Sequence, residues 1–295
     1  MPNRVLAVLP APSVADRREA GEAAFRMADP DAPQIEVLDL GITRGDGVFE
    51  TISVAGRRAQ AVEPHLARLA RSAAMLEMPE PDLAAWRAAT FAVAAALPEV
   101  PEAFVKLVYT RGVEGGTRTT GYAFGEVSPD HTVSRTEGVS VVVLDRGYRH
   151  DVRTTAPWLL QGAKTLSYAV NRAAVREAHR RGADDVLFIS SDGYLLEGPT
   201  ANLLLRRGSR LLTPPTDLPI LAGTTQADAF AYAEQQGLEA AYEPLTRDDL
   251  DAADALWLVS SVRHAAPIRA VDGVARQIDA AFSAGLNEHL IARRD

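Results

Sequence analysis

The chain has 295 residues, a formal net charge of −8 and no cysteine. The length suits one large or two medium domains, and the negative charge argues against general binding to nucleic acid or an anionic membrane. Without cysteine there is no disulfide, no thiolate metal site and no cysteine nucleophile.

Arg4 to Leu9 reads as a short strand. The apolar run in MPNRVLAVLPAPS is short and turns charged at DRREAGEAAFR, unlike a signal peptide. No later stretch reaches the roughly 20 apolar residues of a membrane span. A soluble cytoplasmic protein is expected. Ala11 to Pro33 is mixed, charged and Pro-bearing, and reads as a surface excursion. Glu36 to Leu40 reads as a strand. GITRGDGVFETISVAGRRA gives a Gly-rich turn, a strand through Val48, Phe49 and Ile52, and a hairpin turn at Ala55-Gly56. Glu63 to Glu77 is a predicted helix, with Leu66, Leu69, Ala73 and Leu76 at helical spacing and Pro64 near its start. Asp82 to Leu97 is another. Ala103 to Thr110 and Val139 to Leu144 are β-rich, with the loop RGVEGGTRTTG between them. Arg146 to Pro157 lacks periodicity and is taken as a domain junction, dividing the chain into 1–148 and 149–295. Tyr168 to Arg181 is an amphipathic helix stopped by Gly182. Asp185 to Ser190 and a run from Tyr194 are strands around a Ser191-Asp192-Gly193 turn. Asn202 to Leu205, Arg210 to Thr213 and Leu256 to Ser260 are further strands. Thr224 to Gln236 and Ile278 to Arg293 are helices. Mixed elements in both halves point to two α+β or α/β domains.

Five stretches carry chemistry. The first is QGAKTLSYAVN, which holds Lys164, one of two lysines in the chain; the other is Lys106. Placed at the start of a helix-forming run, its amine meets an unfavourable dipole. It is either a solvated surface lysine or an amine activated to form a Schiff base with a carbonyl compound. In SDGYLLEGPTANLLL, Glu197 lies between an apolar strand and a tight turn. A partly buried carboxylate there needs a partner, an arginine or a protonated pyridine nitrogen. In LAGTTQADAF, Thr224 and Thr225 open a helix, as a simple N-cap or as a phosphate site. In PHLARLARSA, Arg68 either snorkels to water or reaches an anion. In WLVSSVRHAAP, Ser260 and Ser261 end a strand, as turn residues or as donors to the same anion. The six histidines show no metal-ligand spacing, and no metal site is expected. Walker, G-x-S-x-G and G-x-G-x-x-G motifs are absent.

The order GDGVFET, HLARL, KTLSYAVN, EGPTANLLL, LAGTTQ and SSV resembles the fold type IV pyridoxal-phosphate family, from Asp39 to Gly273. That family includes branched-chain aminotransferases, D-amino-acid aminotransferases and 4-amino-4-deoxychorismate lyases. The resemblance implies a small N-terminal α/β domain and a larger C-terminal domain with a barrel-like sheet. It also implies pyridoxal 5′-phosphate in the cleft between them, a homodimer, and a small-molecule amine as substrate. It matches Lys164 to the lysine that joins the cofactor, and Glu197 to the partner of the pyridine nitrogen. Arg68, Thr224, Thr225 and Ser261 match the phosphate ligands, and Tyr168 a tyrosine beside the cofactor. YTRGVEGGTRTTGY resembles the lyase-type loop, with Arg111 and Arg118 as holders of substrate carboxylates. The Arg-x-His trap of D-amino-acid aminotransferases is missing. Ser167-Tyr168 replaces the Gly-Asn-Tyr of branched-chain enzymes. The expectation is therefore a lyase releasing p-aminobenzoate, a folate precursor, and pyruvate. The alternative is a D-amino-acid or branched-chain amino-acid aminotransferase, and the remote one a non-catalytic cofactor-binding homologue.

Overall fold

A computed structural model describes residues 3–10 and 23–293. The chain forms two units. The first ends at Pro129 and takes back Ala163–Tyr168; the second holds Asp130–Gly162 and Ala169–Ala292. The division expected at 148/149 thus falls at 129/130, because the strand from Val139 hydrogen-bonds within the second sheet.

In the first unit, β1 (Arg4–Leu9) and β2 (Arg26–Ala28) are followed by a short helix α1 (Leu40–Thr43), β3 (Gly47–Ala55) and β4 (Arg58–Ala59). Helices α2 (Val62–Met75) and α3 (Leu83–Ala96) precede β5 (Ala103–Thr110) and β6 (Thr120–Val127). The strands form one antiparallel sheet in the order β2-β1-β6-β5-β3-β4. α2 and α3 bury their apolar stripes on it, and Ile52, Leu66, Leu69, Val93, Val105 and Leu107 form the core. The hairpin turn at Gly56-Arg57 has positive φ at both residues, the backbone that matches the strand twist.

Two sequence expectations change here. The excursion read over Ala11 to Pro33 contains β2; its residues 11–22 lie outside the described ones. Glu36 to Leu40 is not a strand. Val37 and Leu38 are exposed, and Asp39 is buried as the N-cap of α1. Its carboxylate accepts from Gly41 N–H (2.8 Å) and Thr110 Oγ1 (3.0 Å). A side chain that bonds local backbone competes with the strand ladder.

The second unit begins with α4 (Thr132–Thr136), β7 (Val139–Asp145), α5 (Val152–Thr155), α6 (Ala169–Arg180) and β8 (Asp185–Ile189). It continues with β9 (Asn202–Arg207), β10 (Arg210–Thr213), α7 (Thr224–Gln235), β11 (Glu239–Tyr242) and α8 (Arg247–Asp251). It closes with β12 (Ala255–Ser260), β13 (His264–Val271), β14 (Val274–Ala275) and α9 (Ala280–Ala292). These strands build the larger, mixed sheet in the order β11-β10-β9-β12-β13-β7-β8, with β14 on β13. β9 and β12 lie inside it and are buried on both faces, so they read as apolar runs. Leu203, Leu205, Leu256 and Leu258 fill one face; Leu204, Trp257 and Val259 fill the other, under α7 and α9. The arm from Tyr194, expected as a strand, pairs with β8 through Phe188 N–H to Glu197 O (3.0 Å) and Ser190 N–H to Tyr194 O (2.8 Å), yet only isolated bridges result. No helix of the described residues is long and apolar enough to cross a membrane.

Replacing Asp39 by alanine leaves the Thr110 hydroxyl and the α1 N-terminus without their acceptor. The expected loss is about 1–3 kcal/mol, read as a lower urea midpoint with unchanged slope.

Candidate active site

β3 alternates its side chains between two faces of the sheet. Val48, Glu50, Ile52 and Val54 are buried, while Phe49 and Thr51 are half-buried on the opposite face.

Glu50 is fully buried, and a carboxylate there needs cationic and N–H partners. α2 supplies them from residues three apart, which share a helix face. His65 Nδ1 lies 2.6 Å from Glu50 Oε2; Arg68 donates from Nε to Oε1 (2.8 Å) and from Nη2 to Oε2 (2.7 Å). Burial works to raise the Glu50 carboxyl, but the Arg68 charge and the bonds from Arg68 and His65 outweigh it and hold the group well below the usual carboxylate range. Burial pushes the His65 imidazole down, and its bond to Glu50 opposes that only in part. Arg68 therefore does not snorkel. Its guanidinium is oriented by a fork against one carboxylate.

Residues 164–166 run along the edge of β3 opposite β5. Thr165 bridges Val48; Phe49 N–H donates to Lys164 O (3.0 Å) and Leu166 N–H to Gly47 O (2.8 Å). Lys164 N–H donates to Ser72 Oγ (3.1 Å), one turn beyond Arg68 on α2. Lys164 is thus in extended backbone and α6 starts only at Ala169, so the helix-dipole argument made from the sequence does not apply. Its amine is placed by an aromatic face instead: Nζ lies 4.4 Å from the Phe49 ring centroid. Tyr168 packs edge-on against the same ring, centroids 5.4 Å apart. Lys106 Nζ lies 5.1 Å from that centroid, and burial pushes its amine down. Gly47 permits the close approach on both sides, since a Cβ there would stand 2.7 Å from Tyr109 O and 2.9 Å from the Leu166 side chain.

The expected pair of carboxylate holders behaves differently in its two members. Arg111 donates from Nε to Asp46 (2.6 Å) and from Nη2 to Leu76 O (2.6 Å), with Nη1 3.3 Å from Glu77 O. It braces the Gly45-Asp46-Gly47 turn against the end of α2 and is engaged inside the unit. Arg118 is exposed in the loop before β6, and its side chain makes no hydrogen bond among the described residues.

The second unit gathers the other set. Glu197 lies half-buried beside Leu195 and Leu196, and its Oε2 accepts from Asn202 Nδ2 (3.0 Å). Thr224 and Thr225 are the first two residues of α7, both buried. Thr225 Oγ1 lies 3.5 Å from Ser261 Oγ. A helix N-terminus flanked by paired hydroxyls suits an oxyanion. Two contributors were not singled out in the sequence. Glu50 is visible only as the residue after Phe49 in GDGVFET, and Asn202 as the last residue of EGPTAN.

An amino-transferase class IV family model matches residues 47–271, and the chain belongs to that family. The bifunctional aminodeoxychorismate lyase / D-amino acid transaminase of Mycobacterium tuberculosis is 42% identical over 254 residues, 83% of this chain and 88% of that protein. A fold IV transaminase from Curtobacterium pusillum superposes with a TM-score of 0.95 at 53% identity, covering 99% of this chain and 98% of the other. A PLP-bound hypothetical aminotransferase from Mycobacterium tuberculosis gives 0.89 at 39% identity, with 98% and 99% covered. The protein is an enzyme of the fold type IV class, whose members are pyridoxal-phosphate-dependent aminotransferases and aminodeoxychorismate lyases.

Glu50→Gln weakens the buried pair, with an expected loss of about 3–5 kcal/mol. Because the folded-state value of Glu50 is depressed, its stabilisation is present above the ordinary 4.5 and is lost as pH falls below it. Urea midpoints measured between pH 7 and pH 3.5 should fall less steeply for the variant than for the wild type.

Proposed function

We propose that the chain binds pyridoxal 5′-phosphate and uses it to transfer amino groups from D-amino acids, with cleavage of 4-amino-4-deoxychorismate as a second reading. The donor set suits this cofactor. Lys164 offers the only side-chain amine besides Lys106. Glu197 offers a carboxylate for the ring nitrogen, and Thr224, Thr225, Ser261 and Arg68 are donors for the phosphate. Tyr168 packs edge-on against the Phe49 ring that the amine also meets. When bound, the cofactor supplies an electron sink that makes the proton beside a substrate amine removable. Lys164 is the amine that would hold the cofactor, and its Nζ would take up that proton and release it again. Arginine cannot do this, because it stays protonated. The Phe49 face, the Lys164 backbone bonds with Phe49 N–H and Ser72 Oγ, and the Leu166 bond to Gly47 O hold Lys164 in place for the transfer.

The choice between outcomes rests on Arg111. Aminodeoxychorismate carries two carboxylates, and the lyase reading calls on Arg111 and Arg118 together. Arg111 is engaged by Asp46 and two carbonyl groups, which leaves Arg118 for a single carboxylate, the number an amino acid brings. This reverses the order expected from the loop sequence alone. The second reading is kept because the relative at 42% identity bears both activities in its name.

Lys164→Ala should lose the visible absorption of lysine-linked cofactor, with turnover falling by at least about 10³-fold. Transamination of D-alanine with a keto acid, run beside p-aminobenzoate release from aminodeoxychorismate, orders the two readings; faster p-aminobenzoate release would restore the lyase to first place. Arg118→Ala should raise KM for the amino acid about 10–100-fold with little change in kcat, the worth of one charge-assisted pair. Arg111→Ala should instead lower the melting temperature.

A further inference from the structure

Asn202 is the first residue of β9, buried, and held in the interior of the larger sheet by its pairing with Val259. Its side-chain nitrogen donates twice. One bond goes to Glu197 Oε2 (3.0 Å) and the other to Leu221 O (2.8 Å). A carboxylate oxygen and a carbonyl oxygen are both acceptors, so the NH₂ end of the amide must face them, and both of its protons are used. Leu221 opens the turn Leu221-Ala222-Gly223 that leads into Thr224 and Thr225. Gly223 is extended, with φ −78°, so glycine is not required there by backbone conformation. It is required by proximity: a Cβ would overlap Asn202 Oδ1. The turn therefore lies directly against the Asn202 amide.

A second route also anchors the turn. Gly223 N–H donates to Gln226 Oε1 (3.2 Å), Gln226 Nε2 to Thr213 Oγ1 (2.5 Å), and Thr213 Oγ1 to Leu203 O (2.7 Å). That route fixes the turn to β9 without touching Glu197. The Asn202 side chain is hydrogen-bonded to both the Glu197 carboxylate and Leu221 O.

We propose that Asn202 is a positioning residue that locks the Glu197 carboxylate and the Leu221–Gly223 turn to one another, so that the ring-nitrogen contact and the phosphate contact of the cofactor act as one unit. This rests on the reading of the chain as a pyridoxal-phosphate enzyme. Serine is too short to reach both acceptors. Aspartate presents oxygens to oxygens and adds a charge beside Glu197. Leucine removes both bonds and puts apolar surface against two polar oxygens.

The test measures dissociation constants of pyridoxal phosphate and of pyridoxal, by cofactor absorbance. The proteins are wild type, Asn202→Ala, Asn202→Asp, Glu197→Gln, Thr225→Ala, and the double variants that join Asn202→Ala to each of the last two. Asn202→Ala is expected to weaken pyridoxal phosphate about 10–100-fold, the usual effect of removing an outer-shell partner. It should also narrow the preference for pyridoxal phosphate over pyridoxal by about threefold or more, and combine less than additively with Glu197→Gln and with Thr225→Ala. Asn202→Asp, of nearly unchanged size, should weaken the cofactor as the alanine variant does, while the cofactor-free protein keeps its far-ultraviolet circular dichroism. Additive losses with both partners, or an unchanged phosphate preference, would overturn the coupling and leave the functional reading intact. A wild-type protein that takes up neither ligand would overturn the functional reading and this inference with it.

Discussion

The pairing of residues 164–166 with the start of β3 is the constraint on which the placement of Lys164 depends. It fixes the Lys164 backbone through Phe49 and Ser72, and it fixes which ring the amine meets. A slip of one residue would present Glu50 where Phe49 stands, because successive strand side chains point to opposite faces. Two features guard that register. Gly47 lets the paired segment and β5 approach from either side, and Arg111 ties the turn before it to the end of α2. The same alternation places Glu50 on the helix side, where it orients Arg68. One strand thereby serves two functions on its two faces.

Much of this was legible in the sequence where the signal is local. Lys164, Glu197, Thr224 with Thr225, and Arg68 each stand in a short motif; the helices bearing Arg68 and the two threonines fall within a few residues of their expected bounds, while Lys164 and Glu197 lie outside any strand or helix. What was not legible is non-local. Glu50 and Arg68 are 18 residues apart, and Asp46 and Arg111 are 65 apart, so nothing in the spacing announces either pair. The loop sequence presents Arg111 beside Arg118 and gives no sign of its Asp46 partner. β6 escaped notice because its helix-facing side is Gly121, Ala123 and Gly125, small residues over which Trp86, Val93 and Leu97 of the α3 region pack, and a face without large side chains carries little hydrophobic period. Val37 and Leu38 erred the other way: they are apolar yet exposed, and Asp39 decides the local backbone.

The basic residues divide by chemistry. Arginines repeatedly cross-link the fold: Arg68 to Glu50, Arg111 to Asp46, Arg207 to Asp249, Arg247 to Asp272, and Arg263 to Asp185. The planar fork suits that work, and its permanent charge makes it unreactive. Pairs at the surface add little stability. The buried Glu50–Arg68 pair matters more, because loss of either partner strands a charge in the core. In the second unit two neutral amides add to these pairs: Asn202 bonds the Glu197 carboxylate, and Gln226 links Gly223 to Thr213.

The scarcity of lysine has a practical corollary. Both side-chain amines of this protein lie against the two-dimensional face or rim of a single phenyl ring. Reagents that modify primary amines, which decorate the whole surface of most proteins, are confined here to the neighbourhood of Phe49 and to the chain's own amino terminus. Reductive methylation with isotopically labelled formaldehyde would place two side-chain reporters in the field of one aromatic ring current. Their chemical shifts would follow what occupies that ring, without any engineered label.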